Sequence, residues 1–330
     1  MQKTIPDATN LANGHGIDDL VRHADVVYDN FSVGVPQRLG IDHAALSKVN
    51  PRIITCSVTG FGETGPETQR PAFDQVVQAM GGGMSITGTP ETGPTRSGIP
   101  IGDLGGGIFG TMGVLAAIAE RERTGLGQHV DVSMLDAQIS MLNYMATMYL
   151  MSGQVPEGIG NSHFVHVPYN SYPTADGHII VACIGDAFFE RFAAFIGIPE
   201  LLDPALKQQP VRFAAKARID ALVAEKMKTQ PTAFWQAALQ EARIPCGPVN
   251  NFRQALDDRQ VRARDMVVDV TLQNGETVQM PGNPMKLSAA PTRTFTPPPA
   301  LGEHTQQVLG DLVGYSAEQL AQLRALGAIA

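Results

Sequence analysis

Charged residues are scarce in this sequence. Asp, Glu, Lys and Arg make up 17% of its 330 residues, and the formal net charge at pH 7 is −8. Because no basic run occurs, the composition argues against a protein that binds nucleic acid through a cationic face. Hydrophobic residues make up 43%, which is typical of a compact globular protein with a large core and argues against a disordered chain.

Cysteine and metal-binding patterns are also sparse. The three cysteines, Cys56, Cys183 and Cys246, are far apart and form no C-x-x-C pair, so we expect free thiols in a reducing compartment. The eight histidines show no H-E-x-x-H spacing, and no metal site is predicted. No apolar run approaches the roughly 20 residues that span a bilayer, and the polar N-terminal sequence lacks a signal-peptide core. We therefore expect a cytoplasmic protein.

The first half of the chain carries the pattern of a βαβ unit. Two strand-like segments, DVVYDNF and RIITCSV, flank a helix around 43–49, and this alternation is typical of a parallel sheet. Ligands of such sheets bind beyond the carboxyl ends of the strands. The sequence therefore predicts a functional edge formed by Asn30, Phe31 and the loop 59–66, with Arg38 close behind it.

A longer, glycine-rich pattern follows in residues 96–137. Its apolar positions recur at helical spacing as far as Thr124, and Gly125 then provides a left-handed helix end. The triplet Gly105–Gly107 predicts a loop at the start of this helix, which places Asp103 at or just before the helix N-terminus. Free backbone amides and the helix dipole stabilise an anion at such a position.

Two other interpretations of this segment are open. A lone Asp before a helix is commonly an N-cap, which gives Asp103 a purely structural role. Residues Gly105–Gly110 also satisfy G-x-G-x-x-G, and Asp131 follows at a spacing suited to a ribose contact. This second interpretation predicts an NAD-binding oxidoreductase.

Beyond the loop-rich stretch 157–177 the pattern becomes mixed α+β. The strand-like HIIVACIGD precedes several amphipathic helices and a hairpin that turns at Asn274 and Gly275. The Pro-rich stretch 291–299 predicts an extended return linker, and Ser316 is a good N-cap for the second of two tail helices. We predict a large domain over 1–165, a small α+β domain over 166–287, and a linker with C-terminal helices over 288–330.

Six separated segments resemble one family, the class III CoA-transferases, which include the α-methylacyl-CoA racemases. In the family's order, they are DNFSVGVPQRLG (29–40), NPRIITCSVTGFGETGP (50–66), PAFDQVVQAMGG (71–82), GDLGGGIFGTMGVLAAIAERERTGLGQHVDVSMLDA (102–137), YPTADGHIIVA (172–182) and LGEHTQQVL (301–309). The resemblance implies a Rossmann-like α/β large domain with a parallel sheet, a smaller α+β domain, and a homodimer of interlocked rings. It also implies a coenzyme A thioester and a small carboxylic acid as substrates, with no tightly bound cofactor.

The resemblance makes Asp103 the nucleophile. Its carboxylate is expected to attack an acyl-CoA thioester, giving an aspartyl anhydride and then an aspartyl-CoA thioester. The backbone amides of Gly105 and Gly106 are expected to hold the developing oxyanion. Asp74 matches an acidic position beside the nucleophile, and its alternative role is the N-cap of the helix that follows it.

Other positions match the family's binding residues. Those that line its CoA nucleotide site are Asn30, Phe31, Arg38 and Leu39. A guanidinium suits a phosphate, although Arg38 without the resemblance is better interpreted as a solvated surface residue. The candidate contacts for the acceptor acid, which have ordinary loop roles as their alternative, are Asn161, His163 and Tyr169.

Two positions favour a transferase over a racemase. Racemisation needs proton carriers on both faces of the α-carbon, but the racemase His falls on Phe73 and the racemase Glu on Gly185. Since no GGGGQ-type loop occurs, formate and oxalate are not expected, and we expect a dicarboxylic acid such as succinate. The family's usual first βαβ unit has no match here, so a truncated form, or a catalytically impaired CoA-binding remnant, is an alternative.

Overall fold

The computed structural model describes residues 15–290 and 294–329. The chain divides into two compact units: the first runs as far as Gly158 and resumes at Pro299, and the second spans Ile159–Pro298. Our sequence-based boundaries, at residues 165 and 287, stay a prediction. Residues 291–293 of the predicted linker lie outside the described residues.

A parallel three-stranded sheet lies at the centre of the first unit, which confirms the βαβ prediction. Its strands are β1 (Val26–Asp29), β2 (Ile54–Thr59) and β3 (His129–Ser133), in the order β1-β2-β3. The register pairs Asp29 with Ser57 and Ser57 with Asp131. Every residue of β2 is buried, as expected for the middle strand of a parallel sheet. The carboxyl ends of the three strands therefore meet at one edge.

The helices that accompany this sheet include the one predicted around 43–49 and the long one predicted within 96–124. They are α1 (His15–Val21), α2 (Val35–Leu39), α3 (His43–Val49), α4 (Asp74–Met80), α5 (Gly83–Ile86), α6 (Ile101–Thr124), α7 (Met134–Met141) and α8 (Tyr144–Ser152). Helix α6 ends as predicted, with Gly125 in the left-handed conformation at φ 79°.

The glycines of α6 are part of the helix, so the predicted loop at Gly105–Gly107 is wrong. A Cβ on Gly106 would lie 2.9 Å from Val58 Cγ1, and one on Gly110 would lie 2.2 Å from the Tyr28 hydroxyl oxygen. Glycine therefore lets the helix backbone approach the sheet closely, which is the physical reason for its abundance here.

Helix α6 is long and apolar enough to cross a membrane, by length and composition alone. The sequence analysis did not predict such a segment. Four of its glycines are buried in the first unit: Gly102, Gly105, Gly106 and Gly110. A core helix of a globular protein meets the same test, so the length and apolar character of α6 are weak support for a membrane span.

The second unit has its own core between an antiparallel sheet and a layer of helices. Strands β4 (Tyr169–Pro173), β5 (His178–Ala182) and β6 (Cys246–Pro248) pair in that order. The helices are α9 (Asp186–Ile196), α10 (Gln209–Ala214), α11 (Lys216–Met227), α12 (Thr232–Glu241), α13 (Phe252–Asp257) and α14 (Arg259–Ala263), with 3₁₀ turns at Pro199–Leu202 and Pro204–Lys207. Side chains buried between the layers include Tyr172, Phe192 and Trp235.

A separate hairpin completes this unit. Strand β7 (Val267–Thr271) pairs antiparallel with β8 (Thr277–Pro281). The connection contains Asn274 and Gly275, with Gly275 at φ 83°, and this confirms the predicted turn.

The tail contains a π-helix (Gln306–Leu312) and helix α15 (Ala317–Ala325). Ser316 caps α15 in a reciprocal pair with Gln319, which confirms the predicted N-cap. The Tyr315 hydroxyl donates a hydrogen bond to the Asp19 carboxylate of α1 at 3.0 Å. The tail is thus fastened to the beginning of the first unit.

Candidate active site

A cleft of about 680 Å³ lies at the carboxyl edge of the parallel sheet. Its walls come from the ends of β1 and β2, from residues 68–73, and from the first turns of α6. The residues of chemical interest in its lining are Asp29, Asn30, Phe31, Phe61, Arg70, Phe73 and Asp103. This cleft therefore brings Asn30, Phe31 and Asp103 together at the edge that the sequence indicates.

Asp103 is the third residue of α6, and the N-cap of this helix is Pro100. The interpretation of Asp103 as an N-cap is therefore wrong. The side chain is exposed and stands where backbone N–H groups of the first turn lack partners within the helix. Partial desolvation, and secondly the negative charge of Asp74, raise the pKa of Asp103 above its usual value. A carboxylate of higher pKa is a stronger nucleophile once it is ionised.

Asp74 fixes the first turn of the Asp103 helix. Its Oδ1 accepts a hydrogen bond from the Gly102 backbone N–H at 2.8 Å, and its Oδ2 accepts one from Gln78 Nε2 at 2.7 Å. The N-cap of α4 is Phe73, not Asp74, so the N-cap alternative for Asp74 is wrong. Asp74 instead satisfies an N–H group at the beginning of α6, one residue before Asp103.

We expect Asp74→Asn to move the acid limb of the pH–rate profile to lower pH. The amide keeps an oxygen for the Gly102 N–H group but removes the charge that raises the pKa of Asp103. Initial rates of the CoA transfer that the resemblance implies, measured from acidic to neutral pH, show this shift. As a control, Asp74→Ala also removes the hydrogen bond, and should lower the free energy of unfolding by about 1 kcal/mol. An unmoved acid limb in the Asn variant contradicts the electrostatic role.

Only two of the four predicted CoA-binding residues line the cleft. Asn30 and Phe31 line the cleft, and the Phe31 N–H group donates to Asp29 Oδ1 at 3.0 Å. Arg38 and Leu39 lie in α2, are exposed, and are not part of the cleft lining. The CoA-binding role of all four stays a prediction.

The amides of Gly105 and Gly106 do not face the cleft. Both residues are buried within α6, where backbone N–H groups bond to the preceding turn. A Cβ on Gly105 would meet Met141 Cε at 2.6 Å. The structure thus gives these glycines a packing role, and their oxyanion role stays a prediction without geometric support.

The dinucleotide interpretation does not fit the structure. The G-x-G-x-x-G match at Gly105–Gly110 lies inside α6, whereas a phosphate-binding fingerprint needs a strand followed by a tight turn. The Asp131 carboxylate accepts the Glu63 backbone N–H bond at 3.1 Å, and Glu63 Oε2 lies 3.0 Å from His129 Nε2. These contacts give Asp131 and His129 a role in holding the loop that forms one cleft wall.

The predicted acceptor contacts lie in the second unit. His163 Nδ1 accepts hydrogen bonds from the Val165 and His166 backbone N–H groups at 3.0 and 3.1 Å. Its ring stacks on Tyr169 at 4.9 Å, and burial followed by the His166 charge lowers the pKa of His163. These contacts describe a loop histidine held in its neutral form. The contact of Asn161, His163 or Tyr169 with an acid stays a prediction.

The residues at the two positions where a racemase has its proton carriers cannot transfer a proton. Phe73 lines the cleft and is 81% exposed, and Gly185 precedes α9 at φ 79°. These two positions therefore provide no side chain for proton transfer.

The sequence analysis missed Arg70. It lines the cleft, its guanidinium carbon lies 5.4 Å from the centre of the Phe61 ring, and its Nη1 lies 3.3 Å from Glu67 Oε2. Its position just before the PAFD segment of the resemblance was the available signal.

The comparison with known proteins agrees with this architecture. The sequence profile of CoA-transferase family III matches residues 9–305, and the chain belongs to this family of CoA-transferring enzymes. A succinate–glutarate CoA-transferase of Agrobacterium fabrum is 36% identical, over 89% of this chain and 74% of its own length. An acetyl-CoA:oxalate CoA-transferase of Acetobacter aceti is 38% identical, over 82% of this chain and 69% of its own length.

A solved structure has the same fold. The CAIB/BAIF family protein of Brucella suis superposes with a TM-score of 0.81 at 33% identity, and the match covers 93% of this chain and 80% of that protein. The fold and the family predicted by the resemblance are thereby confirmed.

Proposed function

We propose that this enzyme transfers CoA between an acyl-CoA thioester and a free carboxylic acid, with Asp103 as the nucleophile. The observation that carries the proposal is the exposed Asp103 carboxylate in the cleft at the carboxyl edge of the sheet. Asp74 positions the turn that presents it. In an enzyme of CoA-transferase family III, an accessible carboxylate of raised pKa is suited to accept an acyl group.

The reaction proceeds through two activated forms of Asp103. Its carboxylate oxygen attacks the thioester carbonyl, the C–S bond breaks, and CoA leaves as a thiolate from an aspartyl anhydride. The thiolate then attacks the aspartyl carbonyl of the anhydride, which releases the donor acid as a carboxylate and leaves an aspartyl-CoA thioester. The acceptor carboxylate attacks this thioester, and the liberated thiolate takes the acceptor acyl group from the second anhydride. Asp103 is restored as a carboxylate.

We propose a short dicarboxylate as the acid substrate. A relative is named for succinate and glutarate and another for oxalate, and all three are dicarboxylates. The missing GGGGQ-type loop argues against oxalate, so the acceptor panel should contain succinate, glutarate and oxalate together with acetate as the monocarboxylate.

The experiment that tests the mechanism is intact-protein mass spectrometry after mixing with succinyl-CoA and trapping with hydroxylamine. An activated aspartyl group should become a hydroxamate at Asp103 in the wild type, and Asp103→Ala should give no such product. If folded wild-type protein forms no adduct with any of several acyl-CoA thioesters, the covalent mechanism is wrong and a CoA-binding remnant is the better description.

We also propose that a second copy of the chain covers the outer face of α6. This face exposes an apolar row, Leu104, Ile108, Met112 and Leu115, each at 45–60% exposure. Its spacing of three to four residues makes one continuous stripe, and such a stripe on a soluble protein marks an interaction surface. A homodimer is therefore the assembly that we propose, and a cytoplasmic location is proposed from the sequence alone.

Ile108→Glu should therefore shift the protein from dimer to monomer. A carboxylate in the middle of the apolar stripe must be desolvated on association, which costs several kcal/mol when it lacks a partner. Size-exclusion chromatography with light scattering measures the change. The control is Leu202→Glu, since Leu202 is equally exposed, at 61%, but belongs to the second unit. Equal masses for wild type and Ile108→Glu exclude α6 as the interface.

A further inference from the structure

The cleft has an unfavourable charge for its own substrates. Among the described residues that line it, the carboxylates are Asp29 and Asp103, and the one basic side chain is Arg70. A CoA thioester carries phosphates, and the acid substrate carries at least one carboxylate. Because like charges repel, the single cation should influence whether such anions bind.

The guanidinium of Arg70 is oriented but only weakly engaged. It lies over the Phe61 ring, with 5.4 Å between its central carbon and the ring centre, and this contact restricts the plane of the group. Its ionic partner, Glu67, is three residues away at 3.3 Å, and the two side chains are 48% and 49% exposed. Half-exposed pairs of this kind contribute little stability. A substrate carboxylate or phosphate that binds the guanidinium more strongly can therefore displace Glu67.

The donor geometry of arginine matches the substrates of this enzyme. Two parallel N–H groups bind the two oxygens of a carboxylate or a phosphate, which an ammonium cannot do. In the described structure the hydrogen bond to Glu67 uses Nη1 of Arg70, so Nε and Nη2 are available for a ligand. Arg38, which the resemblance favours for a phosphate, stands outside the cleft lining.

We propose that Arg70 is the oxyanion-binding residue of the cleft, exchanging Glu67 for a carboxylate or phosphate group of the substrate. The proposal rests on the proposed CoA transfer, because that reaction supplies the anionic substrates. In the absence of substrate, the ion pair with Glu67 then keeps the guanidinium in position.

The test compares Arg70→Gln with Arg52→Gln. Arg52 is a matched control, since it also pairs with a glutamate, Glu122 at 2.7 Å, is 49% exposed, and lies outside the cleft lining. We expect Arg70→Gln to raise one substrate KM roughly 10- to 100-fold, with kcat and Tm close to wild type. Arg52→Gln should leave both KM values unchanged. Equal KM values in the two variants overturn the proposal.

Two arms of the test identify the source of the anion. If Arg70 binds a CoA phosphate, KM rises for succinyl-CoA but not for succinyl-pantetheine, which lacks the nucleotide phosphates. If Arg70 binds the acid, KM rises for succinate while KM for succinyl-CoA is unchanged. Arg70→Lys keeps the charge without the two-pronged geometry and should recover only part of the loss.

Glu67→Gln separates substrate binding from a purely structural pair. Removing the Glu67 carboxylate should lower the KM that Arg70→Gln raises, or leave it unchanged. If the ion pair is purely structural, Glu67→Gln should raise that KM as Arg70→Gln does. Calorimetric titration of free CoA and of succinate into wild type and Arg70→Gln needs no turnover. Weaker binding in the variant supports Arg70 even if wild type transfers no CoA, and in that case the proposed reaction alone fails.

Discussion

Replacing Asp103 with asparagine should lower kcat for CoA transfer by at least about 10⁴-fold. The amide has nearly the same size and shape but no oxygen that can attack a thioester, so the anhydride cannot form. Because the side chain is exposed in the cleft, its neighbours need not move. Steady-state rates with succinyl-CoA and a dicarboxylate acceptor measure the loss.

The matched control for this variant is Asp136→Asn. Asp136 is also an exposed aspartate at the third position of a helix, α7, but it lies outside the cleft lining. Its replacement should leave kcat within about 2-fold of wild type, since surface substitutions of this kind have small effects. A similar loss in both variants means that the helix end, and not the nucleophile, is responsible.

Asp103→Asn should leave the protein at least as stable as wild type at neutral pH. The folded-state pKa of Asp103 is raised, so the native state binds more protons than the unfolded state as the pH rises from the unfolded to the folded pKa. Stability therefore falls through that interval, and ionised Asp103 opposes folding above it. Thermal unfolding of Asp103→Asn at acidic and neutral pH should show this difference, which is the trade-off expected of an active-site group.

Gly127→Ala should destabilise the first unit by about 3 kcal/mol or more. A Cβ at this position would lie 1.8 Å from the Ile53 carbonyl oxygen and 2.4 Å from its carbon. Both atoms belong to the backbone beside β2, so no side chain can rotate away, and the entry to β3 must shift. Urea unfolding followed by circular dichroism measures the change in midpoint.

Gly98→Ala is the control for this second prediction. A Cβ on Gly98 meets nothing within 4 Å, and its backbone is not left-handed. Its replacement should change the stability by only a few tenths of a kcal/mol. If Gly127→Ala unfolds at the wild-type midpoint, the β2–β3 approach is looser than the structure shows.

Strands β1, β2 and β5 and most of helix α6 were predictable because their signals are local. The segments around β1 and β2 are rich in apolar residues and bounded by polar loops, and α6 has both helical spacing and a glycine end. The glycines at the start of α6 misled the prediction, since a glycine favours a loop locally but also permits close packing of a helix on a sheet. Contacts with residues far along the chain, such as Val58 and Met141, distinguish the two cases.

The candidate site was predictable in part. Asp103, Asn30 and Phe31 meet in one cleft because the edge of a parallel sheet has a known relation to its strands. The contact between Asp74 and the Gly102 N–H group joins residues 28 positions apart, and no periodicity encodes it. Arg70 was missed for the same reason, since its stacking on Phe61 is a tertiary contact.

The tail that returns at Pro299 also dictates an order of folding. The first unit is interrupted by a second unit of about 140 residues, and closing a flexible loop of that length costs on the order of 4 kcal/mol of chain entropy. A second unit that is already folded shortens the effective loop. On a ribosome, which adds roughly 5–20 residues per second, the uninterrupted second unit emerges whole before the Tyr315 hydroxyl can reach Asp19. The first unit, which contains Asp103, is therefore completed last, although most of its residues are synthesised first.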